Sequence, residues 1–363
     1  MKQEKEDYRY MVAVRCMTYN QAPYIEDALR GFAMQQTSFP VVNIIVDDSS
    51  SDGEQDVIKN WVERNLDGKK GEMWCETEYG MLLEASLRGN PHSTFVILLL
   101  SENHYQTGRK NKRFDYIKKW YDAAKYHSLC EGDDYWISSA KLQKQVEMLE
   151  CNPWYGMVYT PYIESNQVTG EKKEVRTSPR IIHDDRFKWD ILEQNVMIGT
   201  CTVIIRSELE STIKGIEDDF RGFLLGDTQT WFNAARLSKV GYMEEPTGVY
   251  RKIPTGMTAT FDQSRRSRFI RSCLDAHLHL AYKYGAPTKT IKIIKDKFGI
   301  YCFNLYLRQH DYDSARAMNE KYFNNSWLYS WSIIVAKVFK LNKLQLLGPL
   351  HHLEAKVGLI NLK

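Results

Sequence analysis

Four short apolar runs, each broken off by a cluster of acids, amides or hydroxyls, constrain the fold of this chain more than any other feature of its sequence. Met11 to Cys16 leads to Tyr19-Asn20, and Val41 to Val46 stops at Asp47-Asp48. Phe95 to Leu100 stops at Ser101-Glu102-Asn103, and Tyr126 to Cys130 stops at Glu131-Gly132-Asp133-Asp134. Runs of this length, bounded by turn residues, read as buried strands. Between the first two, Ile25, Ala28, Leu29 and Phe32 recur at helical spacing. Val57, Ile58, Trp61 and Val62 do the same behind Ser51 and Glu54, a pair that fits a capping box. Strands alternating with helices predict an α/β fold with a mostly parallel central sheet flanked by helices. Ligands collect at the carboxyl ends of the strands in such a sheet. Four strands would therefore bring polar groups to one edge.

Further along, Ser138 or Ser139 is placed to cap a helix carrying Leu142, Val146 and Leu149, which stops before Pro153. Met157 to Tyr159 and Cys201 to Ile205 read as further strands, while residues 163–196 are polar and give no assignment. From residue 261 the pattern is helical throughout. The expected organisation is a catalytic domain over 1–260 and a helical region over 261–363. The chain has 363 residues, 43% of them hydrophobic, enough for one large core or two ordinary ones.

Composition also excludes some classes. A net charge of +3 gives no strong field to recruit nucleic acid. Seven scattered cysteines, odd in number and without a C-x-x-C, fit reduced thiols better than a disulfide framework or a zinc site. The N-terminus has no apolar stretch of the kind a cleaved signal peptide carries. No run reaches the roughly 18 uncharged apolar residues of a membrane span. The expectation is a cytoplasmic protein.

The acidic pairs carry the chemistry. Asp133 and Asp134 follow an apolar strand and a glycine, and hard carboxylate oxygens suit Mg²⁺ or Mn²⁺. One or two carboxylates, with diphosphate oxygens and waters, can fill an octahedral shell. Asp47 and Asp48 stand where a carboxylate could accept from a base imide or a ribose hydroxyl. Asp52 is better placed to cap the following helix.

These residues resemble glycosyltransferase family 2, with its GT-A fold, from about Val12 to Thr258. The opening strand and turn are Val14-Arg15-Cys16-Met17-Thr18-Tyr19-Asn20. The nucleotide signature is Ile45-Val46-Asp47-Asp48-Ser49-Ser50-Ser51-Asp52-Gly53. The metal signature, of the Asp-x-Asp type, is Glu131-Gly132-Asp133-Asp134-Tyr135-Trp136. Gly226-Asp227 opens a later segment where this family carries its catalytic base. Glu131 to Trp136, followed by Lys141-Leu142-Gln143-Lys144-Gln145, looks like bacterial enzymes that build surface polysaccharides. Two departures stand out. Tyr250-Arg251 is followed by Lys252-Ile253-Pro254 where many relatives have a histidine, and Trp74 to Pro91 reads as an insertion.

The resemblance implies an inverting transfer from a nucleotide-sugar donor, UDP- or dTDP-linked, to a hydroxyl of a glycan or lipid-linked acceptor. Asp48 would contact the base, with Asp47, Tyr19 and Asn20 beside the nucleotide. Asp134 would ligate the metal, and Asp133 would sit by the ribose, the sugar or the metal. Lys110 or Arg113 would neutralise the diphosphate. Asp227 would be the general base. Trp136 would stack on a sugar ring of the acceptor or pack in the core. Competing functions are a nucleotidyltransferase acting on sugar phosphates and a non-catalytic binding protein on the same fold.

The tail adds one more feature. Trp327, Trp331, Ile334, Val335, Val338 and Leu341 form an apolar helical stripe, and residues 321–363 hold six lysines against Glu354 alone. Such a helix can lie on an anionic membrane, which would put the protein at its inner face, or can pack on the catalytic domain.

Overall fold

A computed structural model of the chain describes residues 8–68, 73–109, 111–177, 186–254, 256 and 262–339. Two compact units emerge. One comprises Met1–His183, Met197–Gly215 and Ala234–Lys252, the other Asp184–Val196, Ile216–Asn233 and Ile253–Lys363.

The first unit is built on β1 (Tyr10–Thr18), β2 (Val41–Asp47), β3 (Cys75–Thr77), β4 (Gly80–Leu87), β5 (Asn90–Leu100) and β6 (Ala124–Leu129). After β7 (Tyr135–Trp136) come β8 (Tyr155–Tyr159), β9 (Tyr162–Asn166), β10 (Lys172–Val175), β11 (Ile204–Arg206), β12 (Lys239–Tyr242) and β13 (Gly248–Lys252). Nine of them form a sheet in the order β12-β8-β11-β6-β1-β2-β5-β4-β3. Its centre, β6-β1-β2-β5, is parallel. Antiparallel strands flank that centre, with β11 on one side and β4 with β3 on the other. The segment read as an insertion thus supplies a hairpin at the sheet edge.

Every residue of β2 is buried, as expected of a parallel strand covered on both faces. Side chains alternate across the sheet. Val12, Val14 and Cys16 face a core shared with Ile25, Leu29 and Phe32 of α1 (Ile25–Ala33) and with Trp61 of α2 (Glu54–Asn65). Ala13, Val42, Ile44 and Val46 face the opposite core, with Ile117 and Trp120 of α3 (Lys112–Tyr121). Helices therefore cover both faces, and the α/β class expected from the strand–helix alternation is what the chain adopts.

Register completes the arrangement. Thr18 lies opposite Asp47, Asp47 opposite Leu99, and Arg15 opposite Leu129, so four neighbouring strands end at the same edge. Behind β6, Tyr121 and His127 hydrogen-bond to the buried Glu210. Burial alone would raise the Glu210 pKa; the His127 hydrogen bond and charge, with Lys214, hold it well below the usual carboxylate range.

Local details differ from the sequence expectation. The helix α4 (Lys141–Cys151) has Ala140 at its N-cap and no side-chain cap from Ser138 or Ser139. Buried Gln35 takes that role, its Oε1 accepting from Leu142 N at 3.2 Å. The strand expected from Cys201 is shorter, because Thr200–Thr202 forms a 3₁₀ turn before β11. Ser51 and Glu54 make no capping box. Gly53, with φ +92°, starts α2, and Ser51 N donates to Asn20 Oδ1 instead.

The second unit is helical. Its core gathers Leu274 and Leu278 of Gln263–Lys283, Phe303 of Ile300–Arg308 and Met318 of Tyr312–Tyr322. It also takes in Phe187–Leu192 and the start of Asp227–Leu237, so this helical body is larger than residues 261–363 alone. Burial pushes the His277 imidazole down to about 4. The last described helix is Trp327–Phe339, and Leu341 lies outside the described residues. Among the described residues, no helix is long and apolar enough to cross a membrane. All seven cysteines are free.

Candidate functional site

The turn after β6 holds the first part of the site. Asp134 is only 3% exposed, and its Oδ1 accepts from Arg251 N of β13 at 2.9 Å. The Arg251 guanidinium donates to Asp133 O at 2.9 Å and pairs with Asp27, so it holds the turn without meeting the Asp134 carboxylate directly. Glu131 accepts from Met17 N at 2.9 Å. Gly132 has a steric reason: a Cβ there would stand 2.2 Å from Thr18 Oγ1 and 2.5 Å from Gln21 Oε1. Burial, then the neighbouring Asp133 charge, raises the Asp134 pKa well above the carboxylate range, and burial raises that of Asp133.

Two adjoining carboxylates of like charge, Asp134 buried and Asp133 half-buried, are costly unless a cation joins them. The donors are oxygens only, which fits Mg²⁺ or Mn²⁺ rather than a softer metal. Asp133 and Asp134 are the residues that would hold such an ion, the substrate diphosphate supplying the remaining oxygens.

The turn after β2 holds the second part. Asp47 is fully buried. Its Oδ1 accepts from Ser50 N at 3.1 Å and Gln55 Nε2 at 2.6 Å, while Oδ2 has no partner among the described residues. Burial raises its pKa against these hydrogen bonds. Asn20 and Ser49, at φ +54° and +63°, take left-handed conformations in the turns after β1 and β2. Asn20 N donates to Ser50 Oγ at 2.8 Å, and Asn20 Oδ1 receives Ser51 N at 2.8 Å. Asp52 accepts from Glu54 N at 3.1 Å, as a cap would, and from Ala22 N at 2.9 Å. The two turns are thereby laced together. Tyr19 stands half-exposed beside them, its hydroxyl accepting from Gln106 Nε2 at 3.3 Å.

Asp48 departs from its expected role. It is 1% exposed, with His104 N at 2.8 Å on Oδ1 and Tyr105 N and Arg113 NH1, each at 3.1 Å, on Oδ2. The loop after β5 folds over this carboxylate and gives it two of its three donors. Asn103 reinforces the closure by donating to Asp48 O at 3.0 Å. Arg113 is correspondingly directed at Asp48 rather than held free for a diphosphate, and Lys110 lies outside the described residues.

Trp136 is a correction of the same kind. It is 2% exposed, its indole N–H donates to Cys201 O at 2.7 Å, and its ring meets Phe32 edge-on at 5.0 Å. It packs in the core and offers no face to a sugar. The alternation of β7 puts Tyr135 on the other side, where Arg251 stacks at 4.3 Å. Asp227 belongs to the second unit, exposed at the first position of its helix.

Sequence reasoning placed neither Arg251, Glu54 nor Gln21 at the site. Arg251 carries a visible signal, since Tyr250-Arg251 follows the pattern of the family the sequence resembles. Glu54 was hidden because its spacing from Ser51 suggested a cap. A third group escaped notice: in the second unit, Asp218, Asp219 and His279 converge in a way that could hold a metal ion. Lys283 Nζ already sits on both carboxylates, at 2.9 and 2.6 Å, and serves as their cation.

No protein-family model matches the chain. Proteins of Mycobacterium bovis and Mycobacterium tuberculosis, described as uncharacterized, are each 31% identical over 153 residues, 41% of this chain. The match spans about a third of the length of those relatives, 34%. Among solved structures, the chain is similar to a mannosyltransferase of Pyrobaculum calidifontis in complex with GDP-Man and Mn²⁺. That match has a TM-score of 0.46 and 16% identity, over 96% of this chain and 85% of the other. It is also similar to Staphylococcus aureus TarS 1–349 in complex with UDP-GlcNAc, with a TM-score of 0.45 and 13% identity, over 87% and 93%. At these distances the likeness says nothing of substrate.

Proposed function

We propose that the chain is a GT-A glycosyltransferase of the family-2 type. It binds a UDP- or dTDP-sugar as the complex of a divalent cation and transfers the sugar, with inversion, to a hydroxyl of a glycan or lipid-linked acceptor in bacterial polysaccharide synthesis. The observation that carries this reading is the adjoining carboxylates of half-buried Asp133 and buried Asp134, at the strand edge where the Asp47–Asp48 turn also ends. A parallel sheet concentrates its ligand groups at that edge, and an all-oxygen acidic pair suits a metal-bound diphosphate.

In this reading Asp134 ligates the cation, and Asp133 shares the ion or meets the sugar. When bound, the ion would stabilise the charge that grows on the leaving diphosphate. Tyr19, Asn20 and the peptide groups of the laced turns line the nucleoside side. Asp48 and Arg113 hold the wall of that side from within, and Asp47 keeps one buried oxygen for a donor. Asp227 takes the proton of the attacking hydroxyl. Isothermal titration with UDP, with and without Mn²⁺, tests the proposal. Binding in the micromolar range that requires Mn²⁺ is the expected result; absent or metal-independent binding would return the chain to the class of non-catalytic partners.

We propose in addition a peripheral membrane contact through residues 321–363. In Trp327–Phe339, Tyr329, Ser332, Ile333 and Ala336 turn toward the helical core, while Trp327, Leu328, Trp331 and Ile334 turn to solvent. Trp327 is 76% and Trp331 56% exposed. A helix apolar on both sides needs a second apolar partner, and tryptophans with nearby lysines suit an anionic bilayer surface. Full-length protein is expected to float with phosphatidylglycerol vesicles, and the double variant Trp327→Glu/Trp331→Glu to stay below. Equal flotation of the two would remove the membrane contact.

A further inference from the structure

Arg251 of β13 reaches the acidic turn twice. Its backbone N donates to Asp134 Oδ1 at 2.9 Å, and its NH1 donates to Asp133 O at 2.9 Å. The residue is 8% exposed, and its guanidinium lies against two rings, Tyr135 at 4.3 Å and Tyr24 at 5.1 Å. Its NH2 pairs with the carboxylate of Asp27, which stands in the first turn of α1.

A guanidinium in this place works against a metal in two ways. A divalent cation on Asp133 and Asp134 would be repelled by an uncompensated positive charge that touches the same turn, and little water is there to screen it. A guanidinium is also a good partner for carboxylates, because its planar fork matches them. Left without an acceptor of its own, a buried guanidinium has to find one. The acidic pair would then be filled by a side chain. The cluster in the second unit shows that outcome, since Lys283 sits on both Asp218 and Asp219.

Asp27 prevents both effects. Its charge offsets that of Arg251, and its position draws NH2 toward α1 while NH1 meets a main-chain oxygen of the turn. The contacts with Tyr24 and Tyr135 favour the guanidinium where it stands.

We propose that Asp27 is a positioning residue for the cation: it clasps Arg251, keeps that charge off the Asp133 and Asp134 carboxylates, and so reserves the acidic pair for a divalent ion. The inference rests on the function proposed above. Asp27 acts through Arg251 and touches neither metal nor substrate.

Mn²⁺ uptake by the full-length protein with UDP present, read from the electron paramagnetic resonance of free Mn²⁺, tests it beside thermal melts in chelator. Asp27→Asn keeps an oxygen for Arg251 but drops the charge. It is expected to weaken Mn²⁺ binding about tenfold, the scale of lost outer-shell support. Its metal-free melt should stay close to that of wild type, because Arg251 gains the acidic pair as partner. Asp27→Glu keeps the charge and should bind Mn²⁺ nearly as wild type does. In an Arg251→Gln background, where no guanidinium remains to be held, Asp27→Asn should change Mn²⁺ affinity no further. If Asp27→Asn does not fold, Asp27→Ser carries the same comparison.

Wild-type Mn²⁺ affinity in Asp27→Asn would overturn the proposal, whatever happens to its melt. An equal loss of affinity with and without Arg251 would overturn the route through the guanidinium. Wild-type protein that takes up no Mn²⁺ would instead refute the metal reading itself, and Asp27 would then have no ion to serve.

Discussion

Asp134→Asn is expected to abolish the Mn²⁺-dependent part of nucleotide binding and to slow sugar transfer by about 10²- to 10³-fold, the scale of losing one preorganised electrostatic contact. The substitution is nearly isosteric. Asparagine keeps the oxygen that receives Arg251 N, so the turn should hold its shape. What changes is the other half of the side chain, where an amide N–H replaces a carboxylate oxygen and cannot ligate a cation. The same change removes one carboxylate from a like-charge pair, and the raised pKa values of Asp133 and Asp134 mark that pair as unfavourable without a cation. The metal-free variant should therefore melt no lower than wild type. Calorimetry with and without Mn²⁺, turnover of the donor, and a thermal melt in chelator check the three parts. Unchanged Mn²⁺ dependence would move the metal away from Asp134.

Asp227→Asn is expected to leave nucleotide and Mn²⁺ binding intact and to lower kcat by about 10²- to 10⁴-fold, the usual worth of a positioned general base. Asp227 is exposed at the first position of its helix, where the helix dipole favours a negative charge. A carboxylate oxygen can accept a proton, whereas an amide oxygen is too weak a base. The split is diagnostic. A variant that binds the donor like wild type but does not transfer has lost chemistry alone, and one that transfers at near-normal rate shows that another group takes the acceptor proton. The alternative role of Asp227, a helix cap, predicts a lower melting temperature with kcat little changed.

The framework of this fold was legible because strands and helices leave periodic marks. Val41 to Val46 reads as a doubly covered strand from its unbroken apolar run, and every residue of β2 is indeed buried. The carboxyl-end clusters followed from the same marks, since each run stops where a polar group begins. Local hydrogen bonding was less legible. Ser51 and Glu54 have capping-box spacing, but Glu54 is engaged by Thr18 and Gln21, 36 and 33 residues away, and by Ser50 of its own turn. Trp136 could have faced a sugar or the core. The strand pairing of β7 with β13 decided for the core.

By itself, the sequence determined which residues would stand at the ligand edge of a parallel sheet, because apolar periodicity and chain order fix where strands end. Only the tertiary structure decided what each acid there does. Asp48 is sealed by the backbone of a loop 56 residues away, Asp134 is pinned by Arg251 from 117 residues away, and Glu54 is turned inward beneath Thr18. A carboxylate's role depends on which donors reach its oxygens and how much water remains around it, and both are set by segments that meet only when the chain has folded.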